Sequence, residues 1–140
     1  MRVLSVEVLR QHENGRPVVN GFVSYISRRE PHLMLCTGFE DYSDGYDDFS
    51  TAISRDNGAT WSAPTPWLKS HALQGGRLRY AEPAAFFDAD TGKLIVLVDE
   101  NLYPADKLDV DSVCRVCLNV YDPATDSWSG LQPLGLTPGR

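Results

Sequence analysis

The chain lacks most of the features that would assign it a function at once. Three histidines, His12, His32 and His71, stand far apart with no metal-ligand spacing, so no metal or other cofactor is expected. Three cysteines are too few for a disulfide framework. Cys114 and Cys117 have C-x-x-C spacing but no second pair, and they fall in an expected strand, where buried thiols are the ordinary outcome. The longest apolar run, Leu94 to Val98, has the length of a strand and is far short of a membrane span. Met1 to Val8 meets a charge at Glu7 and lacks the apolar core of a signal peptide, which leaves the cellular location unassigned. Basic residues are outnumbered, 13 against 19 acidic, for a net charge of −6. Neither a nucleic acid nor a membrane is expected as a partner.

A sustained 3.6-residue period is also missing. What recurs is a short β-rich run followed by turn formers, the pattern of an all-β protein. Runs are expected at Val3–Leu9, Phe22–Ser27, His32–Phe39, Phe49–Ser54, Trp61–Leu68, Ala84–Phe87, Lys93–Asp99, Val113–Tyr121 and Ser127–Leu134. Pro64 and Pro66 mark the fifth as an edge strand. Between the runs, Glu40–Asp48 is expected to be an acidic loop, Lys69–Arg79 a loop rich in glycine and arginine, and Glu100–Asp111 the longest loop. Nine or ten strands suffice for about two four-stranded blades.

The most specific segment is Ser54-Arg55-Asp56-Asn57-Gly58-Ala59-Thr60-Trp61. Asp56 and Asn57 can accept bonds from nearby backbone N–H groups, and Gly58 can take a positive φ without a Cβ clash. Thr60 and Trp61 suit the start of a strand, with the indole over an apolar face. An echo follows. Val116–Leu134 repeats the order strand, aspartate-containing turn, Trp-Ser, proline tail, with Trp128 67 positions after Trp61. The echo lacks the Ser, Asp and Gly of the first copy.

The first copy matches every fixed position of Ser-x-Asp-x-Gly-x-Thr-Trp and resembles the Asp-box (BNR repeat) of the sialidase, or neuraminidase, superfamily. The likeness runs from about Gly21 to Val98. It takes in the strand Leu33-Met34-Leu35-Cys36 and an opening for the next blade at Glu82-Pro83-Ala84. It implies a six-bladed β-propeller, of which blade A would span about 18–68, with its box at 54–62, and blade B about 80–135. It also implies a glycoside hydrolase acting on glycan termini, hence a carbohydrate ligand. Ser54, Asp56, Gly58, Thr60 and Trp61 would be structural.

In such enzymes an arginine cluster holds the substrate carboxylate, a loop aspartate serves as acid/base, and a glutamate-activated tyrosine is the nucleophile. Asp44 is the position best aligned with the acid/base and Asp47 the next. Arg77 and Arg79, in a loop expected to face a pocket, are candidate substrate contacts. Tyr42 and Tyr46 are candidates to stack on a sugar ring. The family's first arginine falls on Gly21, and its next falls near Asp41. The acidic loop would repel a sialate, so the substrate stays open.

Two blades do not close a propeller, and an open pair would expose apolar faces and sheet edges. The expected explanation is that the chain is the N-terminal portion of a longer sialidase-like hydrolase, inactive in isolation. The alternative is a non-catalytic glycan-binding or scaffold module, with three copies closing a six-bladed ring.

Overall fold

A computed structural model of the chain describes residues 8, 10–42 and 45–135. They are all-β, curled into a half-barrel, and the described residues contain no α-helix. The first sheet has the order β1 (Val18–Tyr25), β2 (Leu33–Tyr42), β3 (Gly45–Ser54), β4 (Thr65–Leu68). The second is built on β5 (His71–Leu73), β6 (Gly76–Asp88), β7 (Lys93–Tyr103), β8 (Val113–Asp122) and β10 (Gln132–Pro133), in the order β10-β8-β7-β6-β5. β9 (Ser127–Trp128) returns onto β8. Every pairing is antiparallel, and all but β10 with β8 join neighbours in sequence, as short polar connections dictate.

Strand alternation sorts the side chains. In the first sheet Phe22, Met34, Cys36 and Ile53 point one way and Val23, Leu35 and Ala52 the other, in the register Phe22↔Cys36 and Val23↔Leu35↔Ala52. Met34 and Ile53 meet Leu94, Val96 and Tyr121 of the second sheet in one core cluster. Cys36 and Phe49 meet Tyr80, Val98 and Cys117 in another. The core therefore lies between the two sheets. Trp67 and Trp128 close it, stacked at 4.5 Å with planes 25° apart. At Gly21 the sheets touch so closely that a Cβ would lie 2.7 Å from Pro83 Cγ and 2.9 Å from Cys36 Sγ.

Several expected loops are strand. β2 and β3 run through most of Glu40–Asp48, pairing Glu40 with Tyr46 and Tyr42 with Gly45. Charge did not prevent pairing there, because its side chains find opposite charges across the sheets. Lys69–Arg79 is largely a β5–β6 hairpin turning at Gln74 and Gly75, and β7 extends to Tyr103. The expected strand Trp61–Leu68 forms only from Thr65, and Ser127–Leu134 divides into β9 and β10. The Val3–Leu9 run falls outside the described residues except for Val8.

Candidate functional site

Two ends of the molecule carry polar chemistry, and they are opposite one another along the strands. At one end β3 leaves the sheet at Ser54 and enters the Asp-box. Ser54, fully buried, donates its hydroxyl to Asp56 Oδ1 at 2.8 Å and accepts the N–H of Gly58 at 2.7 Å. Asp56 accepts the Thr60 N–H at 2.8 Å and, through Oδ2, the Thr60 hydroxyl at 2.6 Å. These bonds to Thr60, with a further one from Ser54, lower the Asp56 carboxyl to about 2. Asn57 has φ 60 and Gly58 φ 88, and Tyr25 ties the turn to β1 through Asn57 Oδ1 at 2.8 Å. Every fixed polar side chain of the motif thus bonds within the turn. Thr60 and Trp61 do not begin a strand; they span the turn's exit, and the ladder resumes at Thr65.

The second sheet repeats the exit from this turn. Ser62 N–H donates to Ile53 O at 2.9 Å while Ile53 N–H donates to Ser62 Oγ at 3.0 Å. At Ser129 and Val120, each 67 positions on, the same two bonds recur at 2.8 and 3.0 Å. The turn between differs. Asp122 holds it through the N–H of Ala124 at 2.9 Å, and Asp126 accepts the Tyr121 hydroxyl at 2.6 Å.

At the opposite end the start of β1, the β2–β3 hairpin and the start of β6 converge on three arginines and three aspartates. Arg79, 1% exposed, is the centre. Its Nε and Nη2 donate to the two oxygens of Asp106 at 2.8 and 3.1 Å. Nη2 also reaches Asp41 at 3.2 Å, Nη1 donates to the Tyr46 carbonyl at 3.2 Å, and Asp47 Oδ1 lies 3.6 Å away. Burial alone would lower this guanidinium's pKa, but the hydrogen bonds it donates to Asp106 and Asp41 outweigh it and raise the value. Arg16 adds a 2.9 Å bond to Asp47, and its Nε lies 3.2 Å from Asp41 as an ion pair without hydrogen-bond alignment. Arg77 completes the set, 3.8 Å from Asp47 and 4.0 Å from Asp106. Asp106 reaches this place because Ala105 and Asp106 both adopt left-handed backbone, φ 52 and 57.

Beside this network a cavity of about 300 Å³ opens between β1, β3 and β6, lined by Val19, Gly21, Tyr46, Phe49, Glu82 and Pro83. Its volume is at the small end for a ligand site. Glu82 sits in a β-bulge with φ 45, a conformation that costs a non-glycine residue about 1–3 kcal/mol and is concentrated at functional sites. A larger cleft of about 760 Å³ lies at the Asp-box end, walled by Trp61, Tyr121 and Trp128. Its wall carries Arg55 and Asp126, whereas the smaller cavity is tied to the buried Arg79 through Tyr46, whose carbonyl accepts from Arg79 Nη1.

The expected site residues are distributed accordingly. Asp44 lies outside the described residues, as does the side chain of Tyr42. Asp47 is not a solvated loop carboxylate: it is 5% exposed and its oxygens face Arg16, Arg77 and Arg79. Arg77 and Arg79 belong to a strand, two residues apart on one face, and only Arg77 keeps substantial exposure. Tyr46 packs on the core and lines the smaller cavity. Gly21, aligned with the family's first arginine, has no room for one, but Arg16, five residues earlier, occupies the charged end. Arg16 and Asp106 were missed, and Glu82 was read only as the opening of the next blade, not as the wall of a cavity. The only sequence signal for Arg16 was its place directly after the Asn14-Gly15 turn.

Tyr80 is buried opposite Glu100, which Arg115 holds by an ion pair. Burial, and then the Glu100 charge, push the Tyr80 hydroxyl up, away from nucleophile activation. Cys117 is buried as expected, but Cys114 is exposed, because residues three apart on β8 face opposite ways. Among the described residues no group of three or more His, Cys, Asp and Glu could hold a metal, and no helix is long and apolar enough to cross a membrane.

No protein-family model, curated protein or solved structure matches the chain.

Proposed function

We propose that the chain supplies two blades of a sialidase-type β-propeller and that its charged end holds a neutral glycan terminus. Support for the blades comes from the hydrogen bonds that join Ser54, Asp56, Gly58 and Thr60 of the Asp-box and from the Ser62–Ile53 exchange that recurs at Ser129–Val120. Two antiparallel meanders packed face to face, in chain order, have the form of successive blades.

One observation carries the choice of ligand: the three guanidinium groups already face three carboxylates of their own chain. Arg79 spends its bidentate fork on Asp106, so the clamp that a sialate carboxylate requires is occupied. A ligand without charge avoids competition with Asp41, Asp47 and Asp106. Tyr46 gives it an aromatic wall, and Glu82 gives it a hydroxyl acceptor. In a longer sialidase-like glycoside hydrolase, further blades would supply the nucleophile and any free arginines. The two blades alone bind and do not cleave.

The test pairs a glycan array with a turnover assay on the purified chain. Binding to neutral glycan termini, lost in Tyr46→Ala, is expected, together with no release of fluorophore from a fluorogenic sialoside. Sialoside hydrolysis abolished by Asp44→Asn would overturn the binding-only reading, and selective binding of sialylated over neutral glycans would overturn the choice of ligand.

A further inference from the structure

We infer that the outer face of the second sheet is a docking surface for the outer face of the first sheet of a second copy of this chain, joined head to tail. The inference rests on the two-blade reading above and adds the partner and the faces that meet.

The outer face of the second sheet is apolar. Phe86 is 66% exposed and Leu97 41%, and the register places Ile95 beside Phe86, Leu118 beside Leu97 and Val120 beside Ile95. The first sheet has a second such face on the far side of the molecule, with Val23 58% and Tyr25 51% exposed, beside Leu35 and Leu33. Contiguous apolar surface of this kind is rare on a monomer and marks an interface.

The internal repeat identifies which face matches which. The 67-position relation carries Ile53, on the inner face of the first sheet, to Val120, on the outer face of the second. It carries Ala52, on the outer face of the first sheet, to Asn119, buried on the inner face of the second. The outer face of the second sheet is thus the counterpart of a face that, one repeat earlier, is covered by its neighbour. The surface needed to cover it is a counterpart of the second sheet's inner face, and the first sheet's outer face is that counterpart. One molecule cannot bring these two faces together, since they lie on opposite sides of it; a second copy can. The contact is heterologous, and repetition closes a ring when each copy turns the next by the angle of two propeller blades. Propellers of four to eight blades need two to four copies, and six blades need three.

Light scattering after size exclusion tests this on the full chain at micromolar concentration. A discrete assembly is expected, about 47 kDa for three chains of 15.6 kDa. Phe86→Glu with Leu97→Glu, and separately Val23→Glu, should each give a 15.6 kDa monomer. Because each variant keeps one intact face, an equimolar mixture of the two should form a one-to-one dimer and nothing larger. Phe86→Ser and Val23→Thr repeat the experiment with milder changes at the same exposed positions, in case the glutamates disturb folding. A monomeric parent chain would overturn the inference. So would an assembly indifferent to Val23 but broken at Phe86 and Leu97, which would mean a two-fold contact of one face with itself. The exciton couplet of the Trp67–Trp128 stack in far-UV circular dichroism separates docking from sheet packing. A monomer that keeps it overturns only the docking, and a chain without it overturns the packing of the two sheets.

Discussion

Arg79→Met keeps a long unbranched side chain at the charged end and removes the guanidinium that links its three aspartates. The parent residue is 1% exposed and bonds to Asp106, Asp41 and the Tyr46 carbonyl, with Asp47 at 3.6 Å. Its loss leaves Asp47, itself 5% exposed, facing only Arg16 and Arg77. Removing one partner from a buried ion pair costs about 3–5 kcal/mol when the remaining charge is left without compensation. Asp47 keeps Arg16 and Arg77, and Asp41 and Asp106 are 37% and 44% exposed, so the low end of that range, about 3 kcal/mol, applies. Arg77→Met is the control. That side chain is 32% exposed and makes only longer ion pairs, of 3.8 and 4.0 Å, so its loss should cost no more than about 1 kcal/mol. Urea unfolding monitored by tryptophan fluorescence and far-UV circular dichroism reads the difference. With a slope of about 2 kcal/mol per molar urea, a loss of ~3 kcal/mol moves the midpoint down by about 1.5 M at unchanged slope. Arg79→Lys keeps the charge but not the fork and should fall between the two. An Arg79→Met midpoint no lower than that of Arg77→Met would refute the claim that this network holds the two sheets together at that end.

The Asp-box gives a pH-dependent prediction. The Asp56 carboxyl is lowered to about 2, so its contribution to stability is fully present above its unfolded value of 3.8 and is lost as pH falls through about 2. The stability gap between the parent chain and Asp56→Asn should therefore be constant near neutrality and narrow below pH 4, as read by thermal melts across pH; a gap unchanged down to pH 2 would contradict this. For the cysteines, a thiol-reactive disulfide should label one site, Cys114, in the native chain and three in denaturant. Burial, and then Asp99, raise the Cys114 thiol, so labelling should accelerate with alkalinity; burial pushes Cys36 up to about 12 and raises Cys117 as well. Native labelling at Cys36 or Cys117 would mean that the sheets separate.

Local features of this chain were legible from its residues. The Asp-box could be read because the bonds among its fixed residues join positions no more than four apart, and the Trp-Ser echo because it repeats a local pattern. The charged end was not. Its partners are 25 to 38 positions apart, as with Arg16 and Asp41 or Arg79 and Asp41, and nothing local to Glu40–Asp48 announces the arginines that neutralise it. The acidic run consequently resembled a solvated loop, and the Arg77–Arg79 segment a free clamp. Each was half of one network. Strand boundaries erred for the same reason: pairing of Glu40 with Tyr46, or Arg79 with Asn101, depends on the strand opposite. The apolar outer faces were anticipated from blade number alone, but which residues occupy them follows from register, and a one-residue slip would exchange the two faces.

Mapping a neutral methyl glycoside onto the chain by amide chemical-shift perturbation tests the functional proposal most directly, because the two polar ends are distinguishable residue by residue. The account predicts shifts at Val19, Tyr46 and Glu82, around the cavity beside Arg79, and none at Trp61, Tyr121 or Trp128. Shifts confined to the Asp-box end, or no shifts at saturating glycoside, would contradict it.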